Sequence, residues 1–192
     1  MIFHESGLEG AYLVELQPFS DERGHFARAW CREEFARQGI EVELAQGNVS
    51  INPLHGTLRG LHYQVEPYGE VKLVRCVRGA IYDVIVDVDP GSPTYLKWFG
   101  VELTPSSFRM LYVPAGFAHG FQTLCDDTEV NYLVSTPYVA AAGRGLRYDD
   151  PALAITWPEP VTRISRQDDS WPLIDLGAAA ASRADGRRSD RR

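Results

Sequence analysis

The hydrophobic pattern of the chain is that of many short β-strands. Two runs rich in β-branched residues, 71–77 and 80–88, predict strands, and the Arg78-Gly79 step between them predicts a hairpin turn. Further short strands are predicted at 95–103, 110–113 and 130–135. The one clear helical pattern covers residues 32–38 and is closed by Gly39.

Short strands separated by turn signals are typical of a β-sandwich or barrel. We therefore predict an all-β protein, a small barrel or jelly roll with a few short helices, whose two walls enclose a ligand cavity. Residues 1–175 form one domain in this interpretation. Residues 176–192 are poor in large apolar groups and rich in Ala, Arg, Ser and Asp, which predicts a disordered C-terminal tail.

Strand alternation places two polar side chains on apolar faces. Lys72 shares a face with Val74 and Cys76, which is unusual because an unpaired buried ammonium is costly. Asp83, on the neighbouring predicted strand, is a candidate counter-charge for Lys72. Alternatively, Lys72 reaches water from the edge of the sheet.

Tyr132 points inward in the same way, either as a functional group or as a core tyrosine with a satisfied hydroxyl.

Composition and charge exclude several classes of function. The formal net charge of −7 disfavours a nucleic-acid surface, which needs a basic stripe. No apolar run is long enough to span a bilayer and no leader precedes the first patterned segment, so we expect no membrane partner and a cytoplasmic location. Three cysteines without a CxxC pair indicate reduced core thiols.

The histidines are single and widely spaced, so the sequence predicts no metal site, and it carries no cofactor-binding or hydrolase motif. What remains is a set of acid and base groups that together could remove a proton beside a carbonyl and return one from the other face. These candidates are His62, Lys72, Asp83, His119, Tyr132, Asp168 and Asp169.

A series of short strings across residues 1–173 resembles the dTDP-4-dehydrorhamnose 3,5-epimerases, which are metal-independent cupin-like sugar epimerases. The strings are Asp21-Glu22-Arg23-Gly24-x-Phe26, Gln46-x-Asn48-x-Ser50, Gly56-Thr57-Leu58-Arg59-Gly60-Leu61-His62-Tyr63-Gln64, Lys72-Leu73-Val74, Ser92-Pro93-Thr94, Pro114-Ala115-Gly116-Phe117-Ala118-His119-Gly120-Phe121, Asp150-Pro151 and Ile155-x-Trp157-Pro158. The resemblance implies a cupin-like jelly roll and an epimerase that needs no cofactor.

The resemblance also implies catalytic roles. His62 is expected to be the base that removes the C3 and C5 protons of a nucleotide-linked 4-keto-6-deoxy sugar, with Asp168 as its partner and Asp169 as the alternative partner. Tyr132 is expected to reprotonate from the opposite face. Lys72 is expected to stabilise the C4 enolate.

Substrate contacts follow from the same resemblance. Arg59 contacts the diphosphate, together with Arg23 from the neighbouring subunit of a homodimer. Further implied contacts are Phe26, Gln46, Asn48 and His119. Phe19 and Tyr138 are implied as the aromatic pair that sandwiches the nucleotide base.

Three positions depart from the family pattern, namely Arg28 and Gly143, where the family has Glu, and Gln167, where it has Lys. All three lie among ligand contacts, so the proton chemistry is expected to be kept while the substrate preference stays open. One alternative is a C3-only epimerase or a ketoisomerase acting on a different nucleotide sugar. The other is a non-catalytic sugar-binding or metal-binding cupin module.

Overall fold

The computed structural model describes residues 1–177 and is almost entirely β. Its strands are β1 (Ile2–Glu5), β2 (Tyr12–Glu15), β3 (Phe19–Asp21), β4 (Gly24–Phe26), β5 (Gln46–Asn52), β6 (Leu58–Gln64), β7 (Lys72–Arg78), β8 (Ile81–Asp87), β9 (Trp98–Leu103), β10 (Arg109–Val113), β11 (Phe117–Thr123), β12 (Thr128–Val134) and β13 (Gly143–Gly145). The helical elements are α1 (Arg32–Ala36), α2 (Arg166–Asp169) and a 3-10 turn at Pro105–Ser107.

The long strands form two antiparallel sheets that face each other. The six-stranded sheet has the order β1-β2-β10-β7-β12-β5, and the five-stranded sheet has the order β13-β6-β11-β8-β9. Strands β3 and β4 form a separate two-stranded hairpin. This arrangement is the predicted all-β jelly roll, and the fold prediction is confirmed.

The main core fills the space between the two sheets. Val74 and Leu111 from the six-stranded sheet meet Ile85 and Phe121 from the five-stranded sheet. Separate apolar layers cover parts of the outer faces, one built on Phe35 of α1 and the other on the outward residues of β6, β8 and β11. Because β8 and β11 are covered on both faces, they are buried almost without interruption and their alternation is weak.

The hairpin predicted at Arg78-Gly79 is wrong. Strands β7 and β8 are consecutive in the chain, but β7 pairs with β10 and β12 whereas β8 pairs with β9 and β11. The turn therefore carries the chain from one sheet to the other. Residue alternation records which face a side chain occupies and not which strand lies alongside, so the pattern could not separate the two arrangements.

The C-terminal segment of the described chain folds back onto β6. Thr57 bridges to Arg163, and the Leu58 N–H donates to the Arg163 carbonyl oxygen at 2.8 Å. Farther along, the buried Asp150 carboxylate accepts from the Ile174 N–H at 2.7 Å. These contacts bring α2 next to β6. Most of the predicted tail, residues 178–192, lies outside the described residues.

Candidate active site

A bulge in β6 turns two polar residues toward the same wall of the interior. In the pairing with β11, His62 lies opposite His119 while Arg59 lies opposite Phe121, so β6 holds one residue more than its partner over this span. In a regular strand, residues three apart point to opposite faces. With the bulge, Arg59 and His62 both line one cavity.

Gly60 allows this bulge. Its φ of 122° belongs to a region that residues with a side chain rarely adopt, and a Cβ there would lie 2.5 Å from Gly120 Cα. The two glycines bring the backbones of β6 and β11 into direct contact. The Arg-Gly-x-His string is thus a backbone device that aims the arginine and the histidine.

His62 forms a short ion pair with Asp168, which stands 106 residues away in the sequence. The Nε2 atom of His62 lies 2.6 Å from Oδ1 of Asp168. The His62 side chain is 47% exposed, whereas the Asp168 side chain is only 7% exposed. Asp169, the alternative partner, points to solvent. The structure therefore places Asp168, and not Asp169, beside His62.

Local hydrogen bonds hold the Asp168 carboxylate in place. Ser165 caps α2 by accepting from the Asp168 N–H at 3.0 Å, and the Gly60 N–H donates to Asp168 Oδ2 at 3.3 Å. Burial alone would raise the pKa of Asp168, but the hydrogen bond and charge of His62, helped by the Gly60 N–H, hold that pKa below its ordinary value. Asp168 is therefore anionic at neutral pH and can orient the imidazole of His62.

Lys72 and Tyr132 occupy the opposite wall, on adjacent strands β7 and β12 of the six-stranded sheet. The Lys72 ammonium donates to the His62 carbonyl oxygen at 3.1 Å and pairs with Glu70 Oε1 at 3.0 Å. Lys72 is buried, so the alternative in which it reaches water does not hold. Its counter-charge is Glu70 and not Asp83, which corrects the sequence-based assignment.

Burial raises the pKa of Tyr132, and the negative charge of Glu70 raises it further, while Arg59 acts in the opposite direction. The phenol therefore keeps its proton throughout the neutral range. A neutral Tyr132 can donate that proton to a carbanion on the side of the cavity away from His62.

Asp83 pairs instead with His119, the neighbour of His62 across β6 and β11. His119 Nε2 lies 2.7 Å from Asp83 Oδ1, and the two side chains are 9% and 0% exposed. The reason for the misassignment is topological, because β8, which carries Asp83, does not pair with β7. Asp83 Oδ2 is buried without a hydrogen-bond partner among residues 1–177.

Two adjoining cavities meet at these groups. The Tyr138 cavity, of about 290 Å³, is lined by Tyr138, Gln46 and Asn48 among others. The Arg59 cavity, of about 420 Å³, is lined by Arg59 and His119 among others. Both are lined by His62, Lys72, Tyr132 and Gln167. The structure therefore brings together most of the predicted site residues around one continuous space.

The remaining predicted contacts lie elsewhere in this chain. Phe19, Arg23 and Phe26 line a separate groove on the exposed β3–β4 hairpin, and Arg23 pairs with Asp21 at 2.6 Å. Arg28 pairs with Glu34 at 2.9 Å. None of these residues lines either cavity, so a role at this site requires another copy of the chain.

Sequence reasoning missed several residues on the wall of the Tyr138 cavity, among them Glu70, Arg144 and Trp171. Glu70 precedes β7 by two residues, so extending the alternation of that strand backwards would have placed it on the side of Lys72. Trp171 gave no such signal. Its Nε1 is buried and finds no hydrogen-bond partner within the part of the chain that the structure describes.

Two further observations concern residues 1–177 alone. No group of three or more His, Cys, Asp or Glu side chains in this range is arranged to hold a metal ion. No helix in the same range is both long and apolar enough to cross a membrane.

Comparison with known proteins identifies the family. The family model described as dTDP-4-dehydrorhamnose 3,5-epimerase matches residues 5–175. The chain belongs to this family. It is 45% identical over 175 residues to the dTDP-4-dehydrorhamnose 3,5-epimerase of Sinorhizobium fredii, covering 91% of this chain and 90% of that protein. It is also 39% identical over 169 residues to the dTDP-4-dehydrorhamnose 3-epimerase of Streptomyces niveus, covering 88% and 81%.

A solved structure agrees with the sequence relatives. The crystal structure of the dTDP-4-dehydrorhamnose 3,5-epimerase of Bacillus anthracis with TDP and pyrophosphate bound superimposes with a TM-score of 0.86 at 39% identity, covering 90% of this chain and 99% of that one. The predicted family, the cupin-like fold and the class of enzyme are confirmed: this epimerase-family chain is an isomerase.

Proposed function

We propose that this chain inverts C3 and C5 of a dTDP-linked 4-keto-6-deoxy sugar, with His62 as the base and Tyr132 as the acid. The observation that carries this proposal is their placement on opposite walls of one cavity, with Lys72 on the same wall as Tyr132 and its ammonium 3.1 Å from the His62 carbonyl oxygen. The match to the 3,5-epimerase family supports a dTDP-linked keto-sugar as the substrate.

The proposed reaction needs only proton movement. His62 takes the proton from C3, the electron pair of that C–H bond forms a C3–C4 double bond, and the C4 carbonyl oxygen becomes an enolate stabilised by the Lys72 ammonium. Tyr132 then gives its proton to the other face of C3, and the carbonyl re-forms. The same sequence at C5 inverts the second centre, because both carbons are α to one ketone.

Contacts along the cavity support a nucleotide diphosphate on the sugar. Arg59 is suited to a diphosphate oxygen, since a guanidinium binds such groups through two parallel hydrogen bonds. Gln46, Asn48 and His119 offer polar contacts, and Tyr138 exposes a ring on which a base can stack.

The proposal is tested by incubating the protein in D₂O with the dTDP-4-keto-6-deoxy sugar and locating deuterium by NMR. The 3,5-epimerase predicts label at both C3 and C5 with inversion at each. Absence of label at both carbons would refute it. Parallel reactions with GDP- and CDP-keto-sugars measure the nucleotide preference, which Arg28, Gly143 and Gln167 leave open.

The second candidate is a C3-only epimerase in a specialised deoxysugar pathway. It is favoured by the similarity to the 3-epimerase of Streptomyces niveus. The same NMR experiment decides between them, because label and inversion at C3 alone identify the single-centre enzyme. A ketoisomerase would instead move the carbonyl away from C4.

We further propose that the chain is a homodimer in which the β3–β4 hairpin reaches the partner's cavity. The hairpin exposes Phe19 and Phe26, and Val49 and Ile51 form an exposed apolar pair on the edge strand β5. Such surfaces are typical of protein interfaces. The cytoplasmic location also stays a prediction, which fractionation of the native cells would test.

Subunit mixing tests the shared site. Arg23→Ala and His62→Ala homodimers should each be nearly inactive. When the two are unfolded, mixed and refolded together, half of the dimers are mixed and each contains one intact site, so about a quarter of wild-type activity should return. No recovery in a sample that light scattering shows to be dimeric would contradict the exchange of Arg23.

A further inference from the structure

The Lys72 ammonium is held by one hydrogen bond and one ion pair, both within this chain. Its Nζ lies 3.1 Å from the His62 carbonyl oxygen and 3.0 Å from Glu70 Oε1. An ammonium has three N–H donors. One of them donates to the His62 carbonyl oxygen, and at least one other is left for a group inside the cavities that Lys72 lines.

Glu70 is well placed to fix that geometry. Its side chain is 13% exposed and that of Lys72 is 7% exposed, so the ion pair is mostly shielded from water. A buried ammonium without a partner is costly, and the attraction between opposite charges is screened less when both groups are shielded from water. Glu70 also lines the Tyr138 cavity, beside the groups that we assign to proton transfer.

We propose that Glu70 is a positioning residue for catalysis: its carboxylate neutralises the buried Lys72 ammonium and holds that group where a free N–H reaches the substrate carbonyl oxygen. This inference rests on the epimerase function proposed above. It assigns to Glu70 a part in stabilising the enolate, because a misdirected donor would stabilise the enolate oxygen less than a preorganised one.

A second effect of Glu70 reaches Tyr132. After burial, the charge of Glu70 is the next cause that raises the pKa of that phenol. The other charged or titratable groups that line a cavity with Tyr132 include Arg59 and His62 on β6, His119 on β11, Lys72 on β7 and Asp168 on α2. Of these groups, Lys72 is the one paired with Glu70, so a Glu70 variant changes both the position of Lys72 and the charge near Tyr132.

The test compares Glu70→Gln with wild type in the deuterium-exchange and inversion assays. Glutamine keeps the size of the side chain and an acceptor oxygen but removes the charge. We expect kcat to fall by about 10- to 100-fold while KM changes by less than about threefold. The alkaline decline of kcat should also move to lower pH, because Tyr132 loses the charge that favours its neutral form.

Two controls separate positioning from structure. Glu43→Gln removes an exposed carboxylate paired with Arg32 at 2.7 Å, and it should leave kcat and the pH profile unchanged. Glu70→Asp keeps the charge but withdraws it by one methylene, so kcat should fall while the alkaline decline stays near that of wild type. This variant carries the test even if Glu70→Gln does not fold.

The experiment separates failure of the proposed epimerase function from failure of the positioning role of Glu70. If the wild-type protein exchanges no deuterium into the keto-sugar, the proposed function is wrong. If wild type is active and folded Glu70→Gln retains wild-type kcat and pH profile, or Glu70→Asp retains wild-type kcat, the positioning role is wrong and the epimerase proposal stands.

Discussion

Two histidine–aspartate pairs lie side by side, with both histidines on the five-stranded sheet, yet their surroundings differ. His62 and His119 are opposite each other on β6 and β11, and their Nε2 atoms lie 2.6 Å and 2.7 Å from Asp168 and Asp83. The His62 side chain is 47% exposed, whereas that of His119 is 9% exposed. Access to water and ligand, and not pair geometry, distinguishes them.

The exposed pair suits proton exchange. A base must take a proton from substrate and pass it to solvent, which an open imidazole can do. The buried pair is better suited to holding one nitrogen donor at a fixed place in the Arg59 cavity. We therefore propose that His62–Asp168 acts in catalysis and that His119–Asp83 serves substrate contact and stability.

The largest expected effect is on His62 itself. His62→Ala removes the proposed base and should lower kcat/KM by about 10³-fold or more, with loss of deuterium exchange. Steady-state assays on the folded variant check this. A variant with more than a tenth of wild-type activity would contradict the assignment of the base.

Asp168→Asn should lower kcat by about 10²-fold, because His62 loses the anion that orients it and stabilises its protonated form. The matched control is Asp169→Asn, which changes the exposed neighbour and should leave kcat unchanged. The comparison is made by steady-state kinetics. Equal losses in the two variants would restore Asp169 as the candidate partner.

The buried pair should respond chiefly in stability. Asp83→Ala leaves the buried His119 without its partner and should lower the free energy of unfolding by about 3–5 kcal/mol. Asp168→Asn should cost less, since His62 retains contact with water. Urea unfolding measures both, and an Asp83→Ala loss smaller than that of Asp168→Asn would reverse the comparison.

A smaller effect concerns acid stability. The folded pKa of Asp168 is held below its ordinary value, so its contribution is fully present above the unfolded value of about 4 and is lost as pH falls through the lower folded pKa. The stability difference between wild type and Asp168→Asn should therefore shrink as pH falls below about 4. Urea unfolding from about pH 5 to 3 checks it, and a stability difference that grows below about pH 4 would contradict the sign.

Much of this site was visible in the sequence because strand alternation is local. The inward direction of Lys72 and Tyr132 followed from their apolar neighbours at two-residue spacing. The proximity of Asp168 to His62 did not follow from spacing and came only with the family resemblance. It depends on the return of residues 163–169 to β6.

The errors have a common physical origin. The pairing of Asp83 and the supposed hairpin at Arg78-Gly79 both required knowledge of which strands are neighbours, and alternation does not contain it. The shared wall of Arg59 and His62 required knowledge of the bulge at Gly60, which breaks alternation. Long-range partners and backbone irregularities are therefore what the sequence pattern left open.

The central claim is that one base and one acid act from opposite walls, and Tyr132→Phe tests it most directly. Without the acid, His62 should still remove a proton and return deuterium from D₂O to the same face, so the keto-sugar should gain label with retained configuration and much slower inversion. Product NMR separates label from inversion. Inversion in Tyr132→Phe at the wild-type rate would contradict the account.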